Sequence, residues 1–568
     1  MVRFILVCVS ILLAFDVVLA SGSVDVKNED EVKKMIGRML LVGFEDKTLE
    51  KNSTIIRQIQ KYDLGGVILF DRFYTDRTKT KNIASPEQLQ QLTKTLNKYA
   101  KKPLLISVDQ EGGKVARLKP KYGFLEIPSA KNITYLSLED TKLLYKAQAK
   151  MLKDNGINCD FAPVVDLAIN PKNKVIVGLE RSYGSSSEKV IKYAKIFIDA
   201  LNDENVTSVL KHFPGHGSSL GDSHQGFVDV SKTWSAKELE PYQKLIDEHK
   251  VQMIMTAHVF NAQLDEEYPA TLSYKTNTQL LRETMGYDGV LISDDLQMKA
   301  ISKHFSLKQT LTLAINSGVD ILLFANQLAS QDIDELVDTI YNEVLNGTIP
   351  FERILESNKR IQLLHLKPRI IYKPINFGTD RIKMTKEYIH QHYGLDVANI
   401  EIEPKIILLH WTAVMDFEKC FSRLYGEKLY SDRSDISNAS ALNVSSHFLV
   451  KRDGTIYQLM PDNWMARHVI GLNYSSIGIE NIGGENNAKE DLTPAQIQAN
   501  IALIKYLKAK YPSITHLIGH HEYRAMEKNK LWLELDAGYR TQKSDPGDKF
   551  MKAVREKVKD LELKTANE

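Results

Sequence analysis

"PLLISVD", Pro103–Asp109, is a short apolar run that starts at a proline and stops on a carboxylate. A strand with one wet face alternates apolar and polar residues, whereas a strand buried on both faces, as in a parallel sheet, reads as a continuous run. Seven more runs of this kind follow the same pattern: "MLLVGF" (39–44), "GGVILF" (65–70), "CDFAPVVDL" (159–167), "TSVLKHF" (207–213), "QMIMTAHV" (252–259), "GVLISDD" (289–295) and "VDILLFA" (319–325). Helical stretches separate them. Eight strand–helix units between residues 30 and 365 predict an α/β fold of the (β/α)8, TIM-type barrel class. A doubly wound open sheet is the alternative.

Most of these runs close on a polar residue: Asp109, Asp166, Lys211 with His212, His258 and Asp294. One aspartate in such a place commonly caps the next helix. Polar ends on five strands of a barrel would all face one mouth, where barrel active sites lie.

The chain has 568 residues, 43% hydrophobic and 26% charged, which suits a globular protein of two to four domains. Lys and Arg total 74 against 72 Asp and Glu, a net charge of +2, so nothing electrostatic argues for a nucleic-acid partner. Residues 1–20, "MVRFILVCVSILLAFDVVLA", have a basic start, an apolar run broken by Asp16 and a small-residue cleavage pattern. That is the form of a secretory signal peptide, with an uncleaved anchor as the alternative. Export to a periplasmic or extracellular compartment is expected, with no transmembrane segment after cleavage. Of three cysteines, Cys8 falls in the signal, and Cys159 and Cys420 supply no disulfide framework.

"HLKPRIIYKPINFGTD" (365–380) has two prolines and no period, which sets a linker at 369–382 between a barrel region (25–368) and a second α/β region (383–560). In that second region "KIILLHWTA", "SSHFLVKRDGTIYQLMP" and "SSIGIENIGG" are strand-like, and "TPAQIQANIALIKYLKAKY" is a helix with Thr-Pro at its start. His410 and His520 end apolar strands, and Asp545 stands in "KSDPGDKF". Two imidazoles and one carboxylate would leave a catalytic zinc its open position. Glu480 is a candidate base for a bound water, and Lys543 a candidate for stabilising an oxyanion. A strand-end histidine is also a common structural residue, so spacing leaves the metal open.

"KHFPGHGSSLGDSH" (211–224) is histidine-dense, but Pro214, Gly215, Gly217 and Gly221 make it a loop rather than a helix face that would present ligands. Asp222 and His224, two apart in an extended segment, point the same way, so the carboxylate can orient an imidazole that exchanges protons. An Asx-turn aspartate beside an incidental histidine is the alternative.

"ISVDQEGGKVARL", "GLERSYG", "KHFPGHG", "DSH", "TAHV" and "GVLISDDLQM" together resemble the family 3 glycoside hydrolases of the NagZ type, β-N-acetylglucosaminidases. The resemblance covers most of 30–365. It implies Asp294 as the nucleophile of a retaining mechanism, His224 paired with Asp222 as acid/base, and sugar binding by Asp109, Arg117, Arg181, Lys211 and His212. Asp295 would be a bystander, and His216 would hold the loop. "HWTA", "SHFLVKRDGTIYQL", "SIGIENIGG", "GHHEY" and "KSDPG" resemble the zinc N-acetylmuramoyl-L-alanine amidases related to AmpD, AmiD and the peptidoglycan-recognition proteins. That resemblance implies Zn2+ on His410, His520 and Asp545, with Glu480 and Lys543 catalytic and His521 the alternative ligand if the register shifts by one. The stretch between His520 and Asp545 is longer than is usual there, and His468 would line the groove without being a ligand.

Both resemblances converge on peptidoglycan or muropeptides as substrate for a monomeric, exported enzyme with two activities. Alternatives are a wall-binding protein with one inactive domain, a hexosaminidase of chitin-type oligosaccharides with a non-catalytic C-terminal region, and a phosphorolytic glycosidase.

Overall fold

The computed structural model describes residues 28–222, 226–433 and 436–568. The expected signal peptide and His224 lie outside the described residues.

All eight apolar runs form strands: β1 (Leu40–Gly43), β2 (Gly66–Ile68), β3 (Leu105–Val108), β4 (Cys159–Asp160), β5 (Thr207–Phe213), β6 (Met253–Thr256), β7 (Val290–Ile292) and β8 (Leu322–Phe324). They are parallel and ordered β7-β6-β5-β4-β3-β2-β1-β8. The sheet then meets itself: Ser293 N donates to Ile321 O at 2.9 Å and Ile321 N to Leu291 O at 3.1 Å, joining β7 to the chain that enters β8. The fold is therefore the barrel and not the doubly wound sheet. Helices such as Pro86–Tyr99, Leu138–Asp154 and Ser187–Asp203 cover the outside. Ser85, Ser137 and Ser186 cap them, each side chain accepting a first-turn N–H that would otherwise lack a partner.

The loop after β5 is clamped from beneath. Gly217 comes so close to the loop after β4 that a Cβ there would lie 1.8 Å from Leu167 O. Gly217 N donates to the buried Glu238 carboxylate at 2.8 Å, and Trp234 Nε1 donates to Pro214 O at 3.1 Å.

The second sheet holds β9 (Ile370–Tyr372), β10 (Ile406–Trp411), β11 (Phe448–Val450), β12 (Ile456–Gln458), β13 (Ser476–Asn481) and β14 (His516–Gly519), ordered β14-β10-β13-β11-β12-β9. Side chains alternate across it with period two. Ile406 and Leu408 join one apolar layer with Tyr388 and Ile518, while Ile407 and Leu409 join the other with Leu503 and Phe550.

Part of the segment expected as a linker is structured. Ile370–Tyr372 is the edge strand beside β12, and Thr379–Tyr393 is a helix. The basic, proline-flanked sequence hid a strand of only three residues whose pairing partner lies more than eighty residues away. Around it, Arg369 pairs with Asp203, the Tyr372 ring meets His249 at 4.4 Å, and helix Phe351–Leu366 packs on helix Pro494–Lys510. Asp203 and His249 precede β5 and β6, so the second domain is seated at the N-terminal end of the barrel.

Burial, with Asp166 nearby adding to it, pushes the Glu238 carboxyl up to about 7 from an ordinary 4.5. A carboxyl raised in the fold keeps its proton after the unfolded chain has lost its own, so its contribution is complete below the unfolded pKa and declines as pH rises toward the folded one. Glu238→Gln keeps an acceptor for Gly217. Relative to the native chain its melting temperature should therefore rise between about pH 4.5 and about pH 7 and then level off. Calorimetry across that range checks this, and a difference that does not change with pH refutes it.

Candidate functional sites

The barrel mouth is a cavity of about 720 Å3 at the C-terminal ends of the strands. Asp109 follows β3, and Lys211 and His212 come from β5 itself. Lys211 Nζ donates to Asp109 Oδ1 at 2.9 Å and pairs with Glu111 Oε1 at 2.7 Å. Arg117 donates to the other Asp109 oxygen at 2.8 Å. Arg181 grips Glu111 with two bonds of 2.7 Å, the fork geometry that suits a carboxylate. Burial would raise Asp109, but Lys211 and Arg117 hold it well below the usual carboxylate range. Beneath them Asp160, which accepts from Gln110 N, is pushed up to about 7 by burial.

His212 is fixed at both ring nitrogens. A guanidinium only donates, so Arg181 Nη2 at 3.3 Å makes His212 Nε2 the acceptor, and the proton sits on Nδ1 facing Asp166 Oδ2 at 2.7 Å. Asp166 also accepts the His212 and His216 backbone N–H groups, and His216 Nδ1 meets Ser219 Oγ at 2.7 Å. The structure thus brings together Asp109, Arg117, Arg181, Lys211 and His212, with Asp294 and Asp222 lining the same cavity. Asp294 Oδ1 accepts from Asp295 N at 2.8 Å. The Asp295 carboxylate accepts from Gln297 N and Ala325 N, tying the loop after β7 to β8. His258, a polar strand end, is spent on Thr271 and the Asp295 carbonyl.

Two residues of the cluster went unassigned in the sequence. Glu111 is as central as Asp109, and its signal was its place two residues beyond a strand-end carboxylate. Asp166 was legible as a strand end but not as the partner of His212.

In the second domain, strand parity places the polar groups. His410 shares the face of Ile406 and Leu408, and its register partner across β10 and β13 is Glu480. His520 follows Ile518 by two residues and falls on the same side. Asp545 returns to them from a distant loop. His410 Nδ1 lies 3.0 Å from His520 Nδ1 and 3.1 Å from Asp545 Oδ2, and His520 Nδ1 lies 3.0 Å from that same oxygen. All three residues are buried, and their donor atoms converge on one point. Burial, then His520, pushes the His410 imidazole down to about 4, so its nitrogen is free to act as a ligand near neutrality. His410 Nε2 meets His468 Nδ1 at 2.9 Å, and His468 Nε2 meets Ser476 Oγ at 3.1 Å. That chain orients the His410 ring from behind, as outer-shell partners of ligand histidines do. His521 turns away, its ring on the Asp545 carbonyl at 3.0 Å.

Glu480 and Lys543 line the same cavity, of about 620 Å3. Glu480 Oε2 is buried with no hydrogen-bond partner among the described residues, and burial followed by the nearby Asp545 raises this carboxyl well above its ordinary value. The long stretch before Asp545 folds away from the cavity over most of its length. Leu533 N donates to Gly471 O, Leu535 N donates to His392 O, and Trp532 stacks on Tyr523. Only Gln542, Lys543 and Ser544 of it reach the cavity beside Asp545.

Residues 31–364 match the family model described as glycosyl hydrolase family 3 N terminal domain, and residues 401–548 match N-acetylmuramoyl-L-alanine amidase. The chain is 36% identical over 272 residues to a β-hexosaminidase of Tolumonas auensis, covering 47% of this chain and 77% of that protein. It is 32% identical over 294 residues to a β-hexosaminidase of Haemophilus influenzae, covering 51% and 79%. The crystal structure of a β-N-acetylhexosaminidase from Beutenbergia cavernae shares the fold, with a TM-score of 0.53 at 24% identity over 58% of this chain and 97% of that one. With a family 3 barrel over more than half its length and an amidase region behind it, the chain belongs to glycosyl hydrolase family 3 and is an enzyme joining a β-hexosaminidase-type glycosidase to an amidase, a bifunctional peptidoglycan hydrolase.

Proposed function

We propose that the chain is an exported hydrolase that removes GlcNAc from GlcNAc–MurNAc units at the barrel mouth and cleaves the MurNAc–L-Ala amide in the second domain. The observation that carries this reading is the presence of two cavities with no lining residue in common, one lined by Asp294, Asp222 and the cluster around Asp109 and Lys211, the other by His410, His520, Asp545, Glu480 and Lys543. Among the described residues no helix is long and apolar enough to cross a membrane.

At the barrel mouth the buried cluster binds the terminal sugar: Asp109 accepts from hydroxyls, while Arg117, Arg181 and Lys211 donate to them and His212 stands beside Arg181. Asp294 attacks the anomeric carbon, and the glycosyl–aspartate ester that forms is hydrolysed with retention. His224, paired with Asp222, gives its proton to the leaving oxygen and then takes one from water.

In the second domain the donor set fits zinc: two imidazole nitrogens and one carboxylate oxygen, converging, buried and lining an open cavity. His410, His520 and Asp545 would hold the ion, which when bound supplies Lewis acidity to a carbonyl and lowers the pKa of water. Glu480, which lines the cavity, takes the proton of the attacking water and delivers it to the departing amine. Lys543 neutralises the developing oxyanion.

The deciding measurement is mass spectrometry of products from GlcNAc–MurNAc-tripeptide with and without a zinc chelator. Untreated enzyme should release both GlcNAc and peptide, and chelator should remove only the peptide. Release of GlcNAc from chitin-type oligosaccharides, with neither product from the muropeptide, would instead make the second domain a non-catalytic one. The glycosidase assignment has its own check. His224→Ala should slow cleavage of GlcNAc–MurNAc by about 10²–10⁴-fold and an aryl glycoside with a good leaving group far less. Asp294→Ala should abolish both without altering peptide release. Equal losses on the two leaving groups in His224→Ala would remove the acid role from His224.

A further inference from the structure

The cations at the barrel mouth fall into two groups. Arg117, Arg181 and Lys211 are deep and neutralised by Asp109 and Glu111. Arg72, Arg77 and Lys174 also line the cavity, but none of these three forms an ion pair with a carboxylate among the described residues. Arg72 and Arg77 stand on the loop after β2, and Lys174 on the loop after β4. Arg77 and Lys174 are exposed and Arg72 half-buried, so they ring the outlet and not the floor. Arg77 lies over the Tyr74 ring at 5.7 Å, which orients the guanidinium without using its N–H groups. The carboxylates of the loop after β2 are engaged elsewhere: the buried Asp71 pairs with Lys119 at 2.6 Å, and Asp76 with Lys79 at 3.6 Å.

An enzyme that takes the terminal sugar into the deep cluster must let the rest of its substrate leave through this outlet. An uncharged leaving sugar gains only hydrogen bonds from cations placed there. A carboxylate gains from all of them, because the low-dielectric walls of a cleft focus the field. We propose that Arg72, Arg77 and Lys174 form a leaving-group subsite that selects substrates carrying a carboxylate on the departing sugar. This rests on the glycosidase reading above and adds to it a discrimination between wall fragments and neutral chitin-type chains.

The test compares kcat/KM for GlcNAc–MurNAc, whose lactyl group is a free carboxylate, with that for its methyl ester, which has the same shape and no charge. Native enzyme should prefer the acid by roughly five- to tenfold at low salt, and the preference should shrink in about 0.5 M salt as screening shortens the field. The Arg77→Ala/Lys174→Ala double variant should bring the acid-to-ester ratio close to one, and Arg77→Lys should keep most of it. A ratio near one already in native enzyme, or a native-like ratio in the double variant, overturns the subsite. The salt series on native enzyme stands even if a variant misfolds. If acid and ester are equal but GlcNAc–MurNAc-tripeptide shows a salt-sensitive advantage, lost in the double variant, the three cations serve the stem peptide and their assignment to the departing sugar is overturned. Failure of native enzyme to cleave even an aryl GlcNAc glycoside would sink the glycosidase reading and the subsite with it. Cleavage of the aryl glycoside with no charge preference on any substrate sinks the subsite alone.

Discussion

Both sites depend on one constraint: parallel strands deliver all their C-terminal ends to the same edge. In the barrel this brings Asp109, Lys211, His212 and Asp294 to one mouth although up to 185 positions separate them. In the second sheet β10, β13 and β14 are parallel, so His410, Glu480 and His520 arrive at one edge as well. Period-two alternation then selects the face. A shift of one residue in β10 would bury His410 in the layer of Ile407 and Leu409 and break the donor set.

Charge pairing makes the barrel mouth tolerable at such depth. Isolated buried charges cost several kcal/mol each, and the cost is offset only when every charge has well-placed partners. Asp109 and Glu111 share Lys211, Arg117 and Arg181 so that no member is left alone. Such a network is rigid, and a rigid donor set presents its spare hydrogen-bonding capacity to a ligand without further ordering cost. His212 belongs to it through Arg181 and is held from the other side by Asp166.

The seating of the second domain at the N-terminal end of the barrel keeps its cavity away from the mouth. Arg369 with Asp203, Tyr372 with His249 and the packing of Phe351–Leu366 on Pro494–Lys510 make this contact. The two cavities have no lining residue in common. The pairing of activities in one chain joins them in place and stoichiometry, not in a common pocket.

The sequence by itself determined the strand count, the barrel class and the groups at strand ends, because apolar runs and turn residues report local burial and backbone choice directly. Parity within β10 and β13 was equally local, so His410 and Glu480 were legible as candidates. Asp545 entered through its motif, and only the tertiary structure shows it returning to His410 and His520 after a long excursion packed on Gly471 and His392. Tertiary structure alone also decided that Glu111 completes the charge cluster, that Asp166 sets the tautomer of His212, that His468 backs His410, and that Ile370–Tyr372 is a strand and not a free linker. The physical reason is common to all four: each role is defined by a partner tens of residues away, brought within 3 Å or into register by sheet closure and packing that no local window of sequence records.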